Sequence, residues 1–216
     1  MGPHKAWFVA TAVVAVAVYA LMWVAYQNWG WLDTADTSAL GVLRDYGVTH
    51  PGWVRFWDVL STVVSPAGFR LLGAVTIIVA IVQRNLRAAL FVLLSMELSG
   101  FVTRIAKTLA DRARPPGALA GAASSSFPSG HAVAVMVGLL ALWTVASGLL
   151  RPALRVPAIV AGLLVIFAVG FARVALNVHH PSDVLAGWAL GYLYFLVCLL
   201  AVRPVPLRRL GAPAIA

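Results

Sequence analysis

Three short clusters hold the residue types that do chemistry: Lys107 with Arg114-Pro115, then Pro128-Ser129-Gly130-His131, then Arg173 with His179 and Asp183. They gather three cations, two histidines and one carboxylate in a chain where only 11% of residues are charged. Ionisable groups near hydrocarbon are costly and usually functional. Three fixed cations suit a phosphate, and two histidines suit a nucleophile and a general acid.

Each cluster has its own logic. Lysine supplies a mobile point charge, and arginine a planar fork that matches two phosphate oxygens. Taken alone, Lys107 and Arg114 also fit two cations snorkelling from a helix end. Arg112 stands between them, with Asp111 as the adjacent acid expected to neutralise it. Ser129 is a plausible N-cap where a loop meets an apolar run, and the free amides of that helix end attract an anion. Gly130 would let the backbone approach a ligand closely, with His131 beside it to give a proton. An ordinary cap with an interfacial histidine is the plainer alternative for this cluster. In the third, a carboxylate on one imidazole nitrogen fixes the tautomer and frees the other nitrogen to attack. Two histidines and an aspartate can also ligate a metal, but three neighbouring cations would oppose a divalent ion, so no metal and no cofactor are expected.

The elements that must position these groups are membrane helices. The chain has 216 residues, of which 62% are hydrophobic, against roughly 45–50% in a soluble domain. Spans of roughly 20 apolar residues allow about six of them joined by short loops. The spacing predicts spans near 6–25, 59–82, 88–105, 129–150, 157–174 and 184–202, with a bend at Ser65-Pro66. Gln27–Asp58 is more polar and carries Trp29, Trp31, Trp53 and Trp57, which fits an interfacial loop with aromatic anchors. The first stretch is longer than a signal-peptide core, so an uncleaved first helix is expected despite the small residues Ala15-Val16-Ala17. The expectation is one all-α polytopic domain over residues 1–216. The net charge of +9 is dispersed between apolar spans, which argues against nucleic acid as a partner. The single cysteine, Cys198, excludes a disulfide within the chain.

Topology follows from charge. Lys5, Arg84, Arg87, Arg151, Arg155, Arg203, Arg208 and Arg209 fall at one set of span ends, while six of the seven acids and all three clusters fall at the other. The positive-inside bias then puts both termini in the cytoplasm and the clusters on the outer face of a cell membrane. The clusters are expected at the outer ends of helices 3 to 6.

The order Lys-x6-Arg-Pro, Pro-Ser-Gly-His, Arg-x5-His-x3-Asp resembles the type 2 phosphatidic acid phosphatase family, membrane relatives of bacterial acid phosphatases and vanadium haloperoxidases. The likeness spans Lys107–Asp183, with one departure: Ala172 precedes Arg173 where that family usually has serine. The resemblance implies that His179 attacks phosphorus to form a phosphohistidine and that Asp183 orients it. It implies that His131 protonates the leaving oxygen and later assists water. Lys107, Arg114 and Arg173, with Ser129 and the Gly130 amide, would hold the phosphate oxygens. The implied activity is a metal-independent lipid phosphatase acting on phosphatidic acid, phosphatidylglycerophosphate or a polyprenyl diphosphate; an outward-facing site slightly favours the last. A phosphotransferase of the same family is the alternative, and a lipid transporter the alternative from another class, which would not need two histidines with an aspartate. The lipid itself, the acceptor and the oligomeric state stay open.

Glu97, Arg104 and Arg70 lie inside predicted spans, and Glu97 is expected to pair with an arginine or to stay protonated. His180 reads as a loop histidine; Trp188, Tyr192 and Tyr194 read as packing residues or membrane anchors.

Overall fold

The computed structural model describes residues 3–207, with side chains from residue 6 onward. Arg208 and Arg209, and the Lys5 side chain, lie outside the described residues. The regular elements of the described residues are all helical: α1 (Pro3–Asn28), α2 (Gly30–Thr49), α3 (Pro51–Val63), α4 (Pro66–Val82), α5 (Leu86–Val92), a π-helical turn (Leu93–Glu97), α6 (Ser99–Ala110), α7 (Gly130–Ala146), a 3-10 turn (Ser147–Leu149), α8 (Pro152–Ala175) and α9 (Pro181–Val202). Six stretches are long and apolar enough to cross a membrane: 6–28, 51–82, 86–110, 130–149, 152–175 and 181–202. The second combines α3 with α4, and the third combines α5, the π turn and α6.

Local sequence explains the breaks. Pro66 cannot continue α3, and Ser65 restarts the helix by accepting a hydrogen bond from the Gly68 amide at 3.2 Å. Asn85 caps α5 in the same way through the Ala88 amide at 3.1 Å. The π turn leaves the Leu94 carbonyl to accept from the Tyr194 hydroxyl at 2.5 Å. Tyr192 shares a hydrogen bond with Thr11 of α1 at 2.7 Å, and Trp188 lies against Gly170 of α8. These aromatics tie α9 to its neighbours.

The polar segment before the second span is not a loop. Leu32, Asp36, Leu40 and Gly47 recur at helical spacing, and all four are the buried residues of α2. The span boundaries also move: α6 runs on to Ala110, where Asp111 takes a left-handed conformation (φ 44°) and stops it, so Lys107 stands on the last helical turn.

α7 and α9 form the centre of the bundle. A Cβ on Gly187 would stand 2.7 Å from the Ala132 Cβ and 2.7 Å from the Ser129 carbonyl oxygen; one on Gly191 would stand 2.9 Å from the Val133 carbonyl oxygen. Two glycines four residues apart thus let the helices close tightly, as small residues do between membrane helices. Asp183 lies one turn before Gly187, and its carbonyl accepts from the Ser129 amide at 2.9 Å. The packing seam therefore sets the start of α7 against the start of α9.

Candidate active site

The three clusters converge at one end of the bundle. Lys107 ends the third span and His131 opens the fourth. Arg173 ends the fifth, Asp183 opens the sixth, and Arg114 and His179 lie in the intervening loops. The long loop is anchored by Phe127, fully buried against Tyr19, Trp23 and Tyr26 of α1, and by the Tyr26 hydroxyl donating to the Ala110 carbonyl at 3.0 Å.

His179 is buried between a carboxylate and an arginine. Its Nδ1 is 3.5 Å from Asp183 Oδ2, and its Nε2 is 3.4 Å from an Arg114 guanidinium nitrogen. Arginine only donates, so Nε2 is the acceptor and the ring proton sits on Nδ1, facing the carboxylate. Burial holds the His179 imidazole down at about 4; the Asp183 carboxylate opposes that shift, while Arg114 and Lys107 add to it. A neutral imidazole with a free lone pair on Nε2 is a nucleophile.

Asp183 is fixed from every side. It accepts from Arg112 (2.7 Å), the His180 amide (2.9 Å) and the Ser126 hydroxyl, and the His180 ring lies at 3.2 Å. Arg112 extends the network to Asp36 of α2 at 3.0 Å, and Asp36 takes the Ser182 amide at 3.1 Å and the Ser182 hydroxyl at 2.5 Å. Arg112 also lies over the Tyr26 ring at 4.9 Å. So Arg112 is neutralised by Asp36 and Asp183, whereas the adjacent Asp111 is exposed and caps a helix end. His180 is the N-cap of α9 in a capping box with Asp183, so one carboxylate faces both imidazoles. Sequence reasoning missed Asp36, Ser126 and Ser182. Only the periodic burial of α2 could have pointed to Asp36.

The cations are held differently. Lys107 donates to the Ser125 carbonyl and to the Ser126 carbonyl at 3.3 Å. Arg114 donates to the Ser124 carbonyl at 2.6 Å and the Val178 carbonyl at 2.5 Å. Arg173 donates to the Ser61 hydroxyl at 3.0 Å, and its Nε has no partner. Among the described residues none of the three has a carboxylate within 4 Å, because the nearby acids are committed to Arg112 and the imidazoles. Burial lowers Arg114 below its usual range, with Asp183 opposing, yet a guanidinium stays charged. Arg173 and Arg114 are close enough to His131 to act on it electrostatically. The Ser129 hydroxyl is fully buried without a partner: Ser129 occupies the N-cap position of α7 but its side chain caps nothing. A Cβ on Gly130 would meet only ordinary contact, at 3.4 Å from Thr103. What Gly130 contributes is its amide at the helix start.

Residues 88–205 match the family model of the PAP2 superfamily. The chain belongs to the PAP2 superfamily. This PAP2 chain is 30% identical over 153 residues to phosphatidylglycerophosphatase B of Bacillus subtilis (strain 168), covering 69% of each protein. Its fold is that of a solved transmembrane PAP2-type phosphatidylglycerolphosphate phosphatase from Bacillus subtilis, with a TM-score of 0.73 at 20% identity, covering 87% of this chain and 94% of the other. It is a multi-pass membrane phosphatase of the PAP2 type, a hydrolase that acts on lipid phosphates.

The expected arginine pair is not formed: among the described residues Glu97 has no ion pair within 4 Å, and its Oε1 is buried against Gly73 without a hydrogen-bond partner. Arg70 is the cation that acts on it electrostatically. Ala172 is fully buried beside Arg173.

Proposed function

We propose that this enzyme removes the terminal phosphate of phosphatidylglycerophosphate, or of a lipid built like it, through a phosphohistidine on His179. The observation that carries the reading is the asymmetry around that imidazole. Its Nδ1 side meets a carboxylate locked by Arg112, Ser126 and His180, while its Nε2 side opens among Lys107, Arg114 and Arg173, cations lacking any carboxylate within 4 Å. A dianionic phosphate satisfies those cations, the free Arg173 Nε, the unpartnered Ser129 hydroxyl and the α7 amides at once. The name of the Bacillus subtilis relative supports the choice of lipid.

In the first half-reaction Nε2 forms the P–N bond as the P–O bond to the lipid breaks. The phosphate's own charge favours imidazolium at His131, which gives its proton to the leaving oxygen. Water then attacks phosphorus, its proton passes to His131, and inorganic phosphate departs as the P–N bond breaks. Negative charge on the phosphoryl oxygens is met throughout by fixed cations and amides. Because these groups carry the charge, activity is expected to survive EDTA and to be inhibited by vanadate, which adopts the five-coordinate geometry. Phosphate release by purified protein across phosphatidylglycerophosphate, phosphatidic acid and a polyprenyl diphosphate tests the substrate. Preference for the diphosphate over phosphatidylglycerophosphate would overturn the assignment, and transfer of label to a lipid acceptor instead of water would make it a phosphotransferase.

The site is proposed to face outward from the cell membrane, with both termini in the cytoplasm. Arg84, Arg87, Arg151, Arg155 and Arg203 stand at the end of the bundle opposite the site, which supports this orientation. In a Cys198→Ala background, a cysteine replacing exposed Ala122 is expected to react with an impermeant thiol reagent in intact cells, and one replacing exposed Ala153 only after permeabilisation. The reverse pattern would put the site in the cytoplasm.

A further inference from the structure

A second cationic subsite opens off the first. A cavity of about 300 Å³ lies between α4, α6 and the start of α7, lined in part by Lys107, Gly130, Ser124, Thr103, Arg70 and Arg104. Lys107, Gly130 and Ser124 (whose carbonyl holds Arg114) belong to the site already described, so the cavity is continuous with it. Arg70 and Arg104 belong to no part of that site. Both side chains are exposed, on helices that cross the membrane. Among the described residues neither has a carboxylate within 4 Å, and neither guanidinium makes a hydrogen bond. The charged neighbour of Arg70 is Glu97, deeper in the span and out of contact. The Arg70 guanidinium lies directly over Gly100, where a Cβ would stand 2.2 Å from it, so the fold gives that head group a defined seat. Two guanidinium groups that line a cavity between membrane-crossing helices without an ion pair are costly unless an anion meets them.

We infer that Arg70 and Arg104 bind a second phosphate of the substrate, the phosphodiester that joins its head group to the acyl chains, while the terminal phosphate sits at His179. This rests on the phosphatase reading above and narrows its substrate class to lipids with two separated phosphates. Helix geometry sets the separation. Arg104 and Gly100 precede Lys107 by three and seven residues, so the second subsite lies roughly 4–10 Å deeper along α6 than the Lys107 backbone. A diphosphate, whose phosphorus atoms share one oxygen, falls short of this range; two phosphates joined through the three carbons of a glycerol fall within it. The deeper seat is also on the side from which acyl chains arrive.

The test uses the full-length enzyme in detergent, with Arg70→Gln, Arg104→Gln and the double variant. Four substrates are compared: phosphatidylglycerophosphate, phosphatidic acid, a polyprenyl diphosphate and a soluble aryl phosphate. Loss of charged hydrogen bonds predicts that the double variant loses roughly tenfold or more in kcat/KM for phosphatidylglycerophosphate, mainly through KM. Turnover of the aryl phosphate and phosphatidic acid is expected to stay within about twofold of wild type. The unchanged aryl phosphate rate also shows that the variant is folded. Lysine at both positions is expected to restore part of the loss. Equal losses on phosphatidylglycerophosphate and phosphatidic acid would assign the arginines to general lipid binding and overturn the inference, as would no loss on either. A loss confined to a polyprenyl diphosphate would overturn the spacing argument. Failure of the underlying phosphatase reading is distinct: there the wild type itself releases no phosphate, or His179→Ala retains activity.

Discussion

The two sides of His179 are built on opposite electrostatic plans. On the Asp183 side every charge is matched: Asp36, Arg112 and Asp183 alternate in sign, with Ser182, Ser126 and His180 filling the remaining positions. On the Arg114 side positive charge accumulates, and its partners are neutral carbonyls and one hydroxyl. A matched buried network resists change, since removing one member strands another. Neutral partners give way easily to a phosphate, whose oxygens make stronger, charge-assisted bonds. Under the proposed mechanism the difference divides the work: α2 and α9 fix the imidazole, while α6, α7 and α8 present charge to the phosphoryl group.

The boundary between the two sides is the most sensitive point. His179→Ala is expected to lower turnover by at least about a thousandfold and to abolish an acid-labile phosphoenzyme. Rapid-quench labelling with a radioactive substrate checks this; near-normal turnover without His179 would end the proposed mechanism. Asp36→Ala strikes the matched side far from phosphorus. It removes one of the two carboxylates on Arg112 and the acceptor of the Ser182 amide and hydroxyl, so stability is expected to fall by about 3 kcal/mol in chemical unfolding in detergent, with KM little changed. A large rise in KM with intact stability would show that α2 touches substrate.

Arg173→Met strikes the unmatched side. Turnover is expected to drop on the order of a hundredfold, while the melting temperature holds or rises as repulsion with Arg114 is relieved. A fall in stability equal to that of Asp36→Ala would erase the contrast between the two sides. Ser126→Ala removes one donor to Asp183 and leaves the salt bridge to Arg112, so a loss of about tenfold in kcat is expected. The smallest perturbation is pH. The His179 imidazole is expected to gain a proton only as pH falls through about 4, keeping its Nε2 lone pair across the neutral range. Histidine-labelled NMR, assigned by difference against His179→Asn, reads this directly; a midpoint near the ordinary value of about 6.5 would contradict the burial argument.

The sequence by itself determined the membrane architecture and the cast of the candidate site. Spans are legible because hydrocarbon tolerates few alternatives to a long apolar helix, and the break at Ser65-Pro66 because proline cannot donate into a helix. Lys107, Arg114, His131, Arg173, His179 and Asp183 stood out because charge is scarce in such a chain. Which charges pair with which was decided only in three dimensions. Asp36 and Arg112 are 76 positions apart, and no local pattern joins them; α2 had first to fold as a helix and turn its buried stripe toward α9. Asp111, adjacent to Arg112 in sequence, faces away because a left-handed turn ends α6 there. Adjacency along the chain fixes covalent neighbours, whereas the pairing of charges depends on burial, and burial belongs to the packed bundle.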